Sequence, residues 1–150
     1  MIWGCMSASG VGEVFLCEGR MNSKLYIDML EEVLEPSILK LVETDQEDYI
    51  FQQDNAPCHK SREAMKWFEE NDVELLSWPP QSPDLSPIEN LWHILKRRIA
   101  KHKCNSKNML KQKILEEWNA ITPDVCKKLV HSMPHRIKLL IKSGGGSIKY

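Results

Sequence analysis

Two carboxylates in this sequence stand where a divalent cation could be held. Asp54 follows Tyr49-Ile50-Phe51-Gln52-Gln53, which reads as a short strand, and precedes the loop Asn55-Ala56-Pro57. In open α/β sheets ligands bind beyond the carboxyl ends of strands, so a carboxylate there is placed to take a hard cation. The same Asp-Asn-Ala-Pro stretch also reads as an ordinary turn held by the Asp side chain. Glu89 closes the run Ser86-Pro87-Ile88-Glu89. That run matches a capping box, with Ser86 at N-cap, Pro87 opening the helix and Glu89 reaching back to the Ser86 amide. It equally puts a carboxylate in a first helical turn, where the positive end of the helix dipole keeps it ionised. On these residues alone, both readings stay open at both positions.

The neighbours of each carboxylate add candidates. His59, shortly after Asp54, is placed to orient a ligand, a water or the loop, or to serve as a hydrogen-bonded structural residue. Cys58 beside it gives poor geometry for a thiol nucleophile and base. Asn55 and Asn90 directly follow the two carboxylates, and His93, Lys96 and Arg97 share a helical face with Glu89. A phosphodiester lying along that face would meet a bound cation first and cationic side chains further on, with Arg98, Lys101 and Lys103 extending the basic stretch. The opposite face, Ile88, Leu91, Trp92, Leu95 and Ile99, is core, and Trp92 at this spacing reads as core rather than as a stacking platform.

The elements that must position these groups follow from periodicity and punctuation. Met1 to Ser7 and Val14 to Cys17 read as two strands joined through Ser7–Gly12, with Gly10 and Gly12 as turn residues. Strands are expected near 1–6, 13–18, 49–53 and 73–76. Helices are expected near 23–42, 61–71 and 87–101, with Asn22 or Ser23 and Ser61 as caps and Pro36 breaking or kinking the first. One or two further helices are expected over Asn108–Ala120 and Pro123–Lys142, and Gly144-Gly145-Gly146 marks a flexible end. The run from Trp78 to Pro87 holds four prolines, which makes it irregular. The order is α/β, with a mixed sheet. The expected division is a core over about residues 1–103, a helical part over about 104–142 and a tail over 143–150.

Bulk composition excludes some classes. The chain has 150 residues, 42% of them hydrophobic, enough for one core. No stretch reaches the roughly 18 apolar residues of a membrane span, and Glu13 and Glu18 interrupt any leader-like run. Five scattered cysteines argue for reduced thiols rather than a disulfide framework, and their spacing does not suit zinc. The net charge of −1 hides an asymmetry: residues 1–93 hold 6 Lys/Arg against 18 Asp/Glu, and residues 94–142 hold 13 against 3. A polyanion contact therefore belongs in the C-terminal part, unless the charges are simply solvated helix faces.

Four stretches together closely resemble the catalytic domain of the Tc/mariner superfamily of cut-and-paste transposases. They are Trp3-Gly4-Cys5-Met6-Ser7, Gln53-Asp54-Asn55-Ala56-Pro57-Cys58-His59, Ser82-Pro83-Asp84-Leu85-Ser86-Pro87-Ile88-Glu89-Asn90-Leu91-Trp92, and Met133-Pro134-His135-Arg136-Ile137 with the Gly-rich ending. The resemblance spans essentially the whole chain. The 34 residues between Asp54 and Glu89 match the branch whose triad ends in Glu. It implies a ribonuclease H-like mixed sheet flanked by helices, with extra C-terminal helices. It also implies three carboxylates binding two Mg2+ (or Mn2+) ions about 3.5–4 Å apart, for DNA cutting and joining in transposition and DNA integration.

On that resemblance Asp54 is the second carboxylate and Glu89 the third. Asn55, His59, Asn90 and His93 are candidate supporting residues, and Lys96, Arg97, Arg98, Lys101 and Lys103 are candidate DNA contacts. The family's first Asp, on a strand upstream of the Trp-Gly-Cys stretch, has no counterpart here, nor do its helix-turn-helix modules. Position 86 is Ser where Asn is commoner. The expectation is a sheet truncated at its first strand, weak metal binding and no cleavage by this chain alone. Asp84 sits on the wrong element to substitute for a strand carboxylate. The alternative is a non-enzymatic remnant binding DNA or protein through the basic C-terminal helices. DNA is the expected partner and a second copy of the chain a further one. Neither a membrane nor a small-molecule substrate is expected, and the expected compartment is the nucleus, with the cytoplasm second.

Overall fold

The computed structural model describes residues 1–42, 49–146 and 148. These fall into two compact units: Met1–Gly4 with Gly12–Gln81, and Cys5–Val11 with Ser82–Tyr150. The expected boundary near residue 103 lies inside the second unit.

The N-terminal hairpin pairs β1 (Ile2–Ser7) with β2 (Gly10–Leu16). Met1 and Cys17 exchange both backbone hydrogen bonds at 2.9 Å, which closes its open end antiparallel. The turn is tighter than the sequence suggested. Only Ala8 and Ser9 lie between the strands, and Gly12 sits within β2. Of the two turn glycines, Gly10 needs to be glycine because its φ of 144° is one that side chains rarely adopt.

In the first unit, α1 (Ser23–Leu41) starts where Asn22 accepts the Leu25 amide at 2.8 Å. Its buried stripe, Tyr26, Met29, Leu30, Val33, Leu34 and Ser37, has the spacing of one helical face. Pro36 does not break the helix. It and Glu32, whose carbonyl loses its amide partner, are both exposed, so water can take the lost bond. Ser37 is buried, but its hydroxyl donates to the Val33 carbonyl at 2.5 Å and accepts the Glu13 amide at 2.8 Å. Helix α2 (Arg62–Glu70), capped by Ser61, adds Ala64 and Phe68 to this core, and Val73 completes it.

The expected strands at 49–53 and 73–76 are reduced to one parallel bridge, Phe51 with Leu75. Phe51 donates to the Glu74 carbonyl at 2.8 Å and accepts from the Leu76 amide at 2.9 Å. Parallel pairing is weaker per residue than antiparallel, and neither segment has a second strand beside it among the described residues. Strand directions are mixed as expected, yet the one sheet among the described residues is the hairpin. Residues 43–48, where the chain approaches Tyr49, lie outside the described residues.

From Ser82 onward the second unit is helical. A single 3-10 turn over Pro83–Leu85 leads into α3 (Pro87–Ile99), α4 (Lys107–Asn119), α5 (Pro123–His131) and α6 (Met133–Lys142). Leu91 and Leu95 of α3 are buried with Ile114 and Trp118 of α4, Ile121 and Cys126. Trp92 stacks on Trp118 with ring centroids 5.0 Å apart, so it belongs to the packing. Pro134 explains why Pro123–Lys142 is two helices. It offers no amide and its ring would meet the Val130 carbonyl of a continuing helix. No helix among the described residues is long and apolar enough to cross a membrane.

Candidate active site

Asp54 lies just past the Phe51 bridge, where the extended backbone gives way to a loop. Its Oδ1 accepts the Ala56 amide at 3.0 Å, so the turn anticipated from Asp-Asn-Ala-Pro is formed. The same oxygen faces Nδ1 of His59 at 2.6 Å. Against a carboxylate that nitrogen must carry the proton, which fixes His59 as donor at Nδ1. The turn and the supporting histidine thus coexist. The Asp54 side chain is 69% exposed and that of His59 only 17%, so a half-buried ring holds an open carboxylate. Oδ2 of Asp54 has no partner among the described residues.

The support beneath this loop was not anticipated from sequence. Tyr26 of α1 is fully buried and its ring lies 4.3 Å from that of His59, centroid to centroid. Its hydroxyl is hydrogen-bonded to Oε1 of Gln53, whose Nε2 reaches the His59 carbonyl at 3.5 Å. Burial pushes the Tyr26 hydroxyl far above the ordinary tyrosine range, with smaller contributions from Cys58 and Asp54, so it stays a neutral donor. Asn55, a sequence candidate, donates to the Trp78 carbonyl at 2.9 Å and pins the loop to the proline-rich stretch. Tyr26 leads the buried stripe of α1 and Gln53 adjoins Asp54. Those placements were the only signal, and both read equally as ordinary packing.

Glu89 sits in the first turn of α3 and is exposed. The capping box is not made. The Ser86 amide donates to the Pro83 carbonyl at 2.9 Å, and the Ser86 side chain makes no cap bond. The preceding 3-10 turn, set by Pro83, has already taken the amide that Glu89 would have reached. The Glu89 carboxylate has no hydrogen bond or ion pair among the described residues. Beside it, Oδ1 of Asn90 is buried and unpartnered. Asp84 is engaged elsewhere, its Oδ2 accepting the Ile148 amide at 3.3 Å.

Along α3, His93, Lys96 and Arg97 are exposed, as are Lys101 and Lys103 beyond it. Arg98 differs from these cations. Its Nη1 donates to the Ala120 carbonyl at 3.2 Å and lies 3.8 Å from Glu117. Glu117 also meets Nε2 of His102 at 2.6 Å. Arg98 therefore ties α3 to α4. Among the described residues no three His, Cys, Asp or Glu side chains form a metal-holding group.

Comparison with known proteins joins these features. The family described as DDE superfamily endonuclease matches residues 1–111, a span containing both Asp54 and Glu89. The transposable element Tc1 transposase of Caenorhabditis elegans is 35% identical over 150 residues, covering 100% of this chain and 54% of the relative. The Tcb1 transposase of Caenorhabditis briggsae is 36% identical over the same length, with the same coverage. The Tc3 transposase of Caenorhabditis elegans is 38% identical over 152 residues, covering 45% of that protein. The chain thus spans about half the length of the curated relatives it matches. Among solved structures, the Mos1 transposase catalytic domain with Raltegravir and Mg superposes with a TM-score of 0.88 at 23% identity, covering 99% of this chain and 76% of that one. The Mos1 mariner paired end complex with Mn gives 0.88 at 24% identity, covering 99% of this chain and 44% of that one. At such identity the likeness establishes the fold, which is the ribonuclease H-like fold expected from the sequence. With the family match and the relatives together, the chain belongs to the DDE endonuclease superfamily, on its Tc/mariner transposase branch.

Proposed function

We propose that this chain forms the part of a transposase catalytic domain that carries the second and third carboxylates of a metal-dependent DNA-cutting site, Asp54 and Glu89. The observation that carries the reading is the state of Glu89. Its spacing suits a cap, yet its carboxylate stands exposed on a helical turn, with no partner among the described residues. A carboxylate with no structural duty is available as a ligand. Asp54 supports the reading in a complementary way: one oxygen is held and the other is open.

The donor chemistry fits magnesium or manganese, which favour carboxylate oxygen, and the Mos1 structures named above are of complexes with Mg or with Mn. Such ions, when bound, would activate a water and stabilise the leaving oxygen of a phosphodiester. The chain's own groups do the rest. His59 holds Oδ1 of Asp54 through Nδ1–H, and neutral Tyr26 supports the His59 ring and Gln53. Glu89 stands in the first turn of α3, beside the positive end of its dipole. Lys96, Arg97, Lys101 and Lys103 supply cations for the DNA backbone, as the paired-end complexes of Mos1 make reasonable for this chain. A second reading, DNA binding without cutting, rests on that same exposed basic stretch. The nucleus is the compartment this function requires.

The test is Mn2+ line broadening in NMR spectra of the 150-residue polypeptide. Broadening should appear at amides around Asp54 and around Glu89 and vanish in the Asp54→Asn, Glu89→Gln double variant. Broadening centred elsewhere would refute the assignment. Two carboxylates offset too little of the charge of two divalent ions, so the same polypeptide should not nick plasmid DNA with Mg2+ or Mn2+. Nicking that disappears in Glu89→Gln would show that two carboxylates suffice.

A further inference from the structure

Arg136 on α6 is 1% exposed, the one charged residue in the buried polar set among the described residues. A guanidinium so placed is costly unless its donors are used, and these are. Nη1 donates to the Asp84 carbonyl at 3.1 Å and Nε to the Ser132 hydroxyl at 2.8 Å. Asp84 is gripped a second time through its side chain, where Oδ2 accepts the Ile148 amide at 3.3 Å. Ile148 is itself buried. Asp84 is therefore held at its backbone and at its side chain, by partners 52 and 64 residues further along the chain.

Asp84 is the middle residue of the 3-10 turn that runs directly into α3. The Leu85 amide donates to Ser82 at 3.2 Å, the Ser86 amide to Pro83 at 2.9 Å and the Glu89 amide to Ser86 at 3.2 Å. Ser86 lends no side-chain cap, so the usual local device for fixing a helix start is absent. The fixed point lies upstream instead, at Asp84.

We propose that Arg136 and the Ile148 amide clasp Asp84 and thereby position the first turn of α3, Glu89 included. The C-terminal helix and tail then serve the site as positioning residues rather than as ligands. The functional half of this proposal rests on Glu89 being a metal ligand. The mechanical half does not.

The experiment is amide hydrogen exchange on the full chain, with Asp84→Ala, a chain ending at Gly146, Arg136→Met and Arg136→Lys. Asp84→Ala cuts only the Ile148 bond, and the shortened chain removes that bond together with the buried Ile148 side chain. Exchange at Leu85, Ser86 and Glu89 should rise about tenfold or more in both, while Leu95 in α3 and Leu30 in α1 stay unchanged. Arg136→Met should do the same more strongly, and Arg136→Lys, which keeps one cationic donor, should recover part of the protection. A uniform rise across Leu85 to Leu95 would mean that the clasp merely stabilises the unit, and no rise at all would mean that it holds nothing. Either result overturns the proposal. Should Arg136→Met fail to fold, Asp84→Ala and the shortened chain decide alone. Mn2+ broadening at Glu89 should weaken in the variants whose exchange rises. If the unaltered chain shows no broadening at Glu89, the metal reading fails, and the clasp still stands or falls on exchange.

Discussion

Glu89 and Asp54 differ in what their carboxylates touch, and single substitutions should expose the difference. Glu89 makes no bond among the described residues, so Glu89→Ala should leave the urea unfolding free energy within about 0.5 kcal/mol of the parent. A working capping box would instead lose about 0.5–2 kcal/mol, which decides between the two readings. Asp54 is bound by His59 and the Ala56 amide, and Asp54→Asn should therefore disturb its own loop. Tyr26 offers a pH test. Its folded-state ionisation is pushed far above the ordinary value of 10.0 by burial. A group raised in this sense lends stability that is complete below its unfolded value and drains away as pH climbs past it. Urea midpoints should fall between pH 9 and pH 11, and Tyr26→Phe should flatten that fall, at a cost of about 1 kcal/mol for the lost hydroxyl bond near neutrality. An equal fall in both proteins would place the alkaline sensitivity elsewhere.

At the scale of elements, the helices were readable because their signals are local. Asn22, Ser61 and Ser106 each accept an amide at the helix start, and the buried residues of α1 recur on one face. Asp54 and Glu89 were readable as candidates for the same reason, each lying at an element's end marked by proline or a polar run. Other features were not readable. The parallel bridge at Phe51 depends on partners distant in sequence, and the fate of the Ser86 amide depends on whether a 3-10 turn forms before it. Arg136 read as one more cation of a basic region, since burial leaves no trace in charge counting. Pro36 sits in an exposed stretch of α1 where it withholds one amide. Pro36→Ala should therefore stabilise the first unit by about 1 kcal/mol or more, measurable as a higher urea midpoint. Trp118 is fully buried against Trp92, and Trp118→Ala should cost about 3–5 kcal/mol in the second unit. A small loss there would mean that α3 and α4 repack without it.

Across the whole molecule, a net charge of −1 conceals an acidic first part and a basic second part. The structure trims the candidate phosphate contacts. Arg98 is committed to Ala120 and Glu117, leaving Lys96, Arg97, Lys101 and Lys103 exposed. Four phosphate contacts correspond to a slope of about −3 to −4 for log affinity against log salt concentration. Fluorescence anisotropy with a short duplex should return that slope, and reversing these four charges should abolish it. Arg98→Ala should instead act mainly on stability. A slope unchanged by the four reversals would put the DNA face outside this stretch.

The bond from His59 to Asp54 has a consequence for ion size. With Oδ1 already accepting two hydrogen bonds, Asp54 can offer an ion only Oδ2. Small ions that demand near-octahedral order, such as Mg2+, are served by carboxylates that give a single oxygen. Ca2+ gathers six to eight oxygens at longer range and commonly takes both from one carboxylate. Under the proposed metal role the histidine limits the denticity of its neighbour, and removing one of the two bonds to Oδ1 by His59→Ala should raise Ca2+ binding relative to Mg2+.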